Sequence, residues 1–336
     1  MRVSRRPLAF ASALVALIAL SSCATGAATD TAAQSAASHE GFPVTIEHKL
    51  GETTISEPPT RVASVGIGDT DILLALGVQP VLAPVWNGST DTGVGEWAMP
   101  LVTGDAPTPL ESGTSEFSIE KVAASDPDVI VAVNNAIDET RYQQLSSIAP
   151  TVLHSADETD WVLPWQSLTR QVGTAVGKAT EAEKLVAETE ALMKSTAEKN
   201  SDLAGLKAAL VVVWDDDTVS VFSNEAARGQ LVDSLGFEFP ENLRSADNAL
   251  RFDLSAENLS ELNSLDVLFV DNWDKRRAQL ENMPTFHNLD VVREGNVIGL
   301  DAVTSDAVSM PNPVTIPYVL DRFVSQIRET PAGTEE

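Results

Sequence analysis

Apolar positions along this chain switch between a period of two and a period near 3.6, and the switches lay out its elements. Residues 44–55 (VTIEHKLGETTI) alternate apolar and polar side chains in two runs that turn near Gly51, which predicts a β-hairpin; Pro58 and Pro59 end it. The run 61–65 (RVASV) predicts a short buried strand. Gly66-Ile67-Gly68-Asp69 then turns into a helix capped by Asp69 that runs to about Leu76, Gly77 closes it, and 78–85 gives the next strand. The paired glycines lack the third glycine of a dinucleotide-binding turn, Asp71 standing in its place, so a tight turn at a cleft edge is the better account. A connection rich in Gly, Pro, Thr and Ser follows, 86–117, with Trp86 and Trp97 in it; connections of this length tend to carry function. The pattern resumes with a helix capped by Ser118, a strand over 128–133, a helix over 139–147 and a strand over 151–154. This alternation predicts a parallel sheet covered on both faces.

The proline-free stretch 165–200 divides the chain. Ala182, Leu185, Val186, Thr189, Leu192, Met193 and Thr196 recur at three- and four-residue spacing, while Glu181, Glu183, Lys184, Glu188, Lys194 and Glu198 take the opposite face. Gly177 predicts the end of a first helix, and Thr180 with Glu183 a capping box that starts a second. Twenty helical residues span roughly 30 Å, so the stretch reads as a strut lying across two lobes. Beyond it, 206–214 is a strong strand and 218–222 returns after three aspartates; Asn224 caps a helix ending near Gly236, and Ser255 caps another. Strands over 266–270 and 296–300, a helical segment over 286–293 and a closing helix over 313–328 complete the second half.

The halves share more than their class. The run SIEKVAASDPDVIV (118–131) matches SAENLSELNSLDVLFV (255–270) with one inserted residue before the aspartate and one extra residue after it. Each gives a capping serine, a glutamate two places on, a short helix, then Asp and a buried strand. The expected fold is therefore α/β: two three-layer α/β lobes joined by a single long connecting helix, with a ligand cleft between the lobes. The boundaries are a lobe over 42–160, the helical strut over 161–204, a second lobe over 205–330 and a tail over 331–336.

Charge and the N-terminus narrow the function. A formal charge of −27 repels phosphate backbones, which excludes nucleic acid as a natural partner. Arginines crowd the first six residues, 7–20 is apolar but too short to span a bilayer, and Leu20-Ser21-Ser22-Cys23 follows at once. This resembles a bacterial lipoprotein signal over 1–22, with Cys23 as the lipidated first residue of the mature chain and 23–41 as a flexible tether of Ala, Thr, Ser and Gln. Loss of Arg2, Arg5 and Arg6 with the signal leaves a charge of about −30. The expected location is extracytoplasmic, at the cell membrane. With Cys23 the single cysteine, there is no intrachain disulfide and no cysteine-rich metal site.

Six segments, in order, carry a resemblance over about 42–328: PTRVASV (59–65), LLALGVQPV (73–81), SIEKV (118–122), DPDVIV (126–131), VGTAVGKATEA (172–182) and FHNLDVVREGNV (286–297). The chain resembles the siderophore-type periplasmic binding proteins, substrate-binding lipoproteins of iron-uptake ABC transporters. The resemblance implies two α/β lobes joined by one long helix, a ferric siderophore, haem or cobalamin held between them, and a monomer that works with a permease dimer and its cytoplasmic ATPase. It also implies that Glu120 and Glu257, on the matching positions of the repeat, dock to permease arginines; a first-turn glutamate is in any case favoured by the helix dipole, by about 0.3–1 kcal/mol.

A bulky iron chelate is best held by flat aromatic walls and by donors to its oxygens. Candidates are Trp86 and Trp97 in the long connection, Trp214 at a strand end, Trp273 in DNWDKRR (271–277), and the cations Arg228, Arg251 and Arg276; Asn134 and Asn135 follow a strand and are further candidates. Each Trp could equally serve a core, and each Arg a surface ion pair. A ferric siderophore is the leading expectation, with hydroxamates favoured because their complexes carry little charge. Iron enters only as part of that cargo, and no separate cofactor or metal site is expected. Haem or cobalamin is the alternative, although His39, His48, His154 and His287 are scattered rather than clustered. An anchored hydrolase would need a nucleophile with a base beside it, and no Gly-x-Ser-x-Gly or triad context is present.

Overall fold

Strands β1 (Val44–His48) and β2 (Gly51–Ile55) pair antiparallel with Val44 opposite Ile55, as their alternation predicts, and turn Ile46 and Ile55 inward. The computed structural model describes residues 41–86, 92–111, 116–245 and 250–334. Cys23, the signal and the tether lie outside the described residues, apart from the tether's last position.

Five strands, β3 (Val62–Ser64), β4 (Leu82–Val85), β5 (Thr108–Glu111), β6 (Val129–Val131) and β7 (Thr151–Val152), form an all-parallel sheet in the order β5-β4-β3-β6-β7. Its middle strands β3 and β6 are buried at every position, the mark of a sheet covered on both faces. The accompanying helices are α1 (Asp69–Ala75), α2 (Ile119–Ala124) and α3 (Glu139–Ser146). Ser118 caps α2 as predicted, accepting from the Lys121 N–H. Asp69 does not cap α1. Gly68 holds that position with φ 88°, while the Asp69 carboxylate reaches across the sheet to accept from the Val133 and Asn134 N–H groups. The long connection is also less irregular than its composition suggests, since it contains β5.

The dividing stretch folds back on itself. Helices α4 (Trp165–Ala175) and α5 (Ala179–Lys199) pack against each other as an antiparallel hairpin, with Gln166 beside Glu190 and Arg170 beside Glu183. Gly177 makes the turn at φ 69°. The helices approach so closely at Gly173 that a Cβ there would stand 2.4 Å from the Ala182 Cβ. Thr180 caps nothing, because α5 already starts at Ala179. Leu168, Val172 and Ala175 of α4 and Ala182 of α5 belong to the first lobe's core, whereas Val186, one turn further along α5, packs with Leu203 and Phe323 in the second. The strut is thus one arm of a hairpin, and α4 reaches both cores as well, since Trp165 at its start packs in the second.

The second sheet holds β8 (Ala208–Val213), β9 (Val219–Phe222), β10 (Arg251–Leu254), β11 (Val267–Val270) and β12 (Val297–Gly299) in the order β10-β9-β8-β11-β12. β8, β11 and β12 run parallel; β9 and β10 form an antiparallel edge. Helices α6 (Ala227–Asp233), α7 (Arg277–Glu281), α8 (Asp290–Arg293), α9 (Ala302–Ser309) and α10 (Thr315–Ile327) surround it. Ala226, not Asn224, precedes α6, and the segment after Ser255 is a 3-10 helix without a side-chain cap. The repeat still maps onto the architecture, because β6 and β11 each take the fourth place in their sheet.

Candidate functional site

The carboxyl ends of the parallel strands of both sheets meet in one cleft. In the first lobe β3 leads into Gly66–Gly68 and α1, β4 into Trp86, and β6 into Asn134 and Asn135. In the second, β11 leads into Asp271, Asn272 and Trp273, and β12 into Asp301, which caps α9 by accepting from the Thr304 N–H. Ligands of open α/β sheets sit beyond these ends. Contacts among the described residues bridge the lobes. Trp86 lies against Trp273 with ring centroids 5.4 Å apart, and Trp97 against Tyr318 at 5.9 Å. Asn312 donates through Nδ2 to Asp71 Oδ2 at 3.0 Å, and Asn134 Nδ2 lies 3.3 Å from Met310 Sδ.

Buried carboxylates set the electrostatics here. Asp69 is pushed up to about 7 by burial, against the hydrogen bonds from the Val133 and Asn134 backbone, with Asp71 adding to the rise. Asp71 is raised to about 6 by burial, opposed by hydrogen bonds from Trp97 Nε1, 2.7 Å away, and from Asn312. Asp271 is wholly buried and raised by that burial; Arg228 is its ion-pair partner and the Ser305 hydroxyl donates to it. Asp306, on the inward face of α9, is raised to about 7 by burial and then by Asp271.

Of the candidate residues, the structure brings Trp86, Trp97, Trp273 and Arg228 together. The Arg228 guanidinium stacks 4.7 Å from the Trp273 ring and 5.3 Å from Phe222 while it pairs with Asp271. Trp214 and Arg251 form a separate group on the antiparallel edge, where the Trp214 indole donates to the Ser220 hydroxyl and Arg251 pairs with Asp253. Arg276 pairs with Asp274, two residues before it. Asn134 and Asn135 anchor the turn after β3, donating to the Ile67 and Val65 carbonyls. Glu120 and Glu257 are exposed, each in the first turn of its helix. The Glu120 carboxylate is held below its usual range by its own backbone N–H and by the Ser118 hydroxyl. Sequence reasoning missed Asp306, Asn312 and Tyr318; Asp71 it noted only as a break in a glycine pattern. Among the described residues, no group of three or more His, Cys, Asp or Glu could hold a metal ion, and no helix is long and apolar enough to cross a membrane.

The space is divided. A cavity of about 30 Å³ lies among Trp86, Trp97, Asp71 and Asp306. One of about 180 Å³ lies between Asn272, Lys275, Ala302 and Asp306. Another of about 160 Å³ lies on the far side of Arg228, against Trp161, Leu163 and Phe222.

Two α/β lobes with an aromatic cleft at the carboxyl ends of both sheets define a two-lobed ligand-binding protein. The chain belongs to the periplasmic binding protein family, which it matches over residues 62–304. It is 31% identical over 208 residues to the putative ABC transporter substrate-binding lipoprotein YhfQ of Bacillus subtilis, a match that spans 58% of each chain. It is 26% identical over 335 residues to the probable siderophore-binding lipoprotein YfiY of the same organism, covering 94% of this chain and 96% of that one. Among solved structures, the iron-uptake protein PiaA of Streptococcus pneumoniae in complex with ferrichrome superposes with a TM-score of 0.70 at 25% identity, over 86% of this chain and 98% of the other.

Proposed function

We propose that this chain captures a ferric siderophore in the cleft between its lobes and delivers it to the membrane permease of an ABC importer, without carrying out chemistry on it. The observation that carries this reading is the pairing of Trp86 with Trp273 across the cleft, in a chain of this family. Indole rings supplied from both lobes, tilted 50° to each other, offer apolar aromatic surface to a rigid chelate. Names borne by its relatives point the same way. Iron enters as part of the cargo. Lipidation at Cys23 keeps the protein at the outer face of the membrane, and Glu120 and Glu257, one exposed acid on each lobe, dock to basic residues of the permease.

The charge inventory favours hydroxamate over catecholate chelates. A ferric catecholate complex is strongly anionic and calls for unpaired cations. The cleft arginine, Arg228, is already neutralised by Asp271, Arg251 and Arg276 are paired with Asp253 and Asp274, and Lys275 beside the cavity of about 180 Å³ is the one cavity-lining cation without an ion pair among the described residues. Titration of the full-length protein in detergent with ferric hydroxamates, ferric catecholates, haem and cobalamin, followed by tryptophan fluorescence, tests the proposal. Saturable quenching by a ferric chelate at micromolar concentration is expected. Response to haem or cobalamin alone, or to none of the panel, overturns it.

A further inference from the structure

We infer that two carboxylates and two indoles in the cleft form a cage for a protonated amine, so that the cargo is a ferric chelate bearing a free ammonium group. The inference rests on the siderophore reading and specifies the ligand class for it.

The first observation is an unpartnered acid. Asp306 is 5% exposed, and its carboxylate takes no hydrogen bond and no ion pair from the described residues. Burying a carboxylate without a partner is strongly unfavourable, and the neighbouring cations leave it unpaired. Arg228 bonds to Asp271 on the adjacent strand end, and Lys275 stands exposed beside the larger cavity. Across the cage from the other lobe, Asp71 is 5% exposed, and both of its hydrogen bonds, from Trp97 and Asn312, end on Oδ2. Its Oδ1 is left over among the described residues. Two acids from different lobes thus line one cavity, each with acceptor capacity unused.

The second observation is what surrounds them. Trp86 and Trp97 form the walls, and the indole face is the aromatic surface to which an ammonium binds best. Size then selects the occupant. Some 10–15 Å³ of this kind of space holds one water, whereas ligand pockets run to roughly 300–1,000 Å³. A cavity of about 30 Å³ therefore takes the last one or two atoms of an aminoalkyl arm and cannot take a chelated iron. Asp306 also lines the cavity of about 180 Å³, so the same acid faces both spaces. Burial raises Asp306 and Asp71 toward neutrality when the cage holds no cation, and an ammonium between them favours their charged forms.

The test uses the full-length protein in detergent and three probes: ferrioxamine B, a ferric trihydroxamate ending in a free ammonium; its N-acetyl derivative, which lacks that charge; and ferrichrome, which has no amine. Wild type should bind ferrioxamine B at least about tenfold more tightly than the acetylated form, the scale of a desolvated cation–indole contact. Asp306→Asn should bring that ratio to within about twofold, because asparagine keeps a hydrogen-bond donor and loses only the charge. Equal affinity of the wild type for both forms overturns the cage, as does a preference that survives in Asp306→Asn. Binding of ferrichrome with neither ferrioxamine also overturns it while leaving the siderophore reading intact. If no ferric chelate of any class binds, the siderophore reading itself falls.

Discussion

Replacing Asp306 with Asn should stabilise the protein, and do so in a pH-dependent way. The side chain is buried with no partner, and it faces Asp271 at the end of β11, Arg228 on α6, Lys275 after β11 and Asp301 before α9, which together leave it raised from 3.8 to about 7. For an acid whose folded pKa is raised, the folded state holds the proton more tightly than the unfolded chain does. The resulting stability is present in full below the unfolded value and is lost as pH rises through the folded one. At about 1.4 kcal/mol per pH unit, the interval from 3.8 to about 7 corresponds to roughly 4 kcal/mol, most of it lost between pH 5 and pH 8. Asparagine has the same shape and does not titrate. The advantage of Asp306→Asn over wild type should therefore grow by roughly 2–3 kcal/mol from pH 5 to pH 8 and then level off. Urea unfolding of both proteins across that range measures it, and the more distant raised acids, Asp69 and Asp71, cancel in the difference. A constant difference between the two proteins at every pH, or a variant less stable at pH 8, would refute the burial argument for this residue.

Charge reversal at Glu120 and Glu257 together should abolish uptake of the chelate by cells while its affinity for the isolated protein stays unchanged; a loss of affinity would count against docking, since both side chains are exposed on the surface. Arg228→Met should destabilise the protein by roughly 3–5 kcal/mol at pH 7, because it strands the wholly buried Asp271, and adding Asp271→Asn should recover much of that loss. Thermal unfolding of the single and double variants reads this, and a single-variant loss under about 1 kcal/mol would mean that Asp271 has another source of stabilisation.

What was legible in the chain was whatever its local chemistry decides. The alternation over 44–55 produced the β1–β2 hairpin, Ser118 caps α2, and the internal repeat marks the same strand position in both sheets. Elements that depend on distant partners were harder to see. β5 contains Pro109 and β10 carries Arg251 and Asp253, so neither reads as a strand, and both are edge strands that tolerate such residues. α9 (AVTSDAVS) is buried on nearly all sides and so has no apolar stripe to betray it. The same holds within the site. Tryptophans in strand-end loops announce themselves by residue type, whereas Asp71 and Asp306 matter only because the fold buries them from opposite lobes against one cavity. A lone aspartate in a helical segment reads as a solvated position until that burial is seen.

Admission of a chelate depends on how the connector is built. The cavity among Trp86, Trp97, Asp71 and Asp306 is about 30 Å³, so the Trp86–Trp273 and Asp71–Asn312 contacts must part before anything as large as an iron complex can reach the space they occupy. Sharp bends in helices arise at Pro, at Gly or Ser pairs, or where the backbone ladder is interrupted. α5 contains neither Pro nor Gly over Ala179–Lys199, and Ala182 and Val186 fix it to the two cores one turn apart. The give is therefore confined to its ends, at Val176–Lys178, where Gly177 already has positive φ, and at the 3-10 turn Ser201–Leu203 that leads to Gly205. Rotation about those two points moves the lobes little, because cores held one helical turn apart cannot separate far without tearing Ala182 or Val186 out of its packing. The opening expected from this packing is thus a small tilt combined with rotamer changes of Trp86 and Trp273, with the side chains at the cleft rim, more than any hinge, setting which chelates can enter.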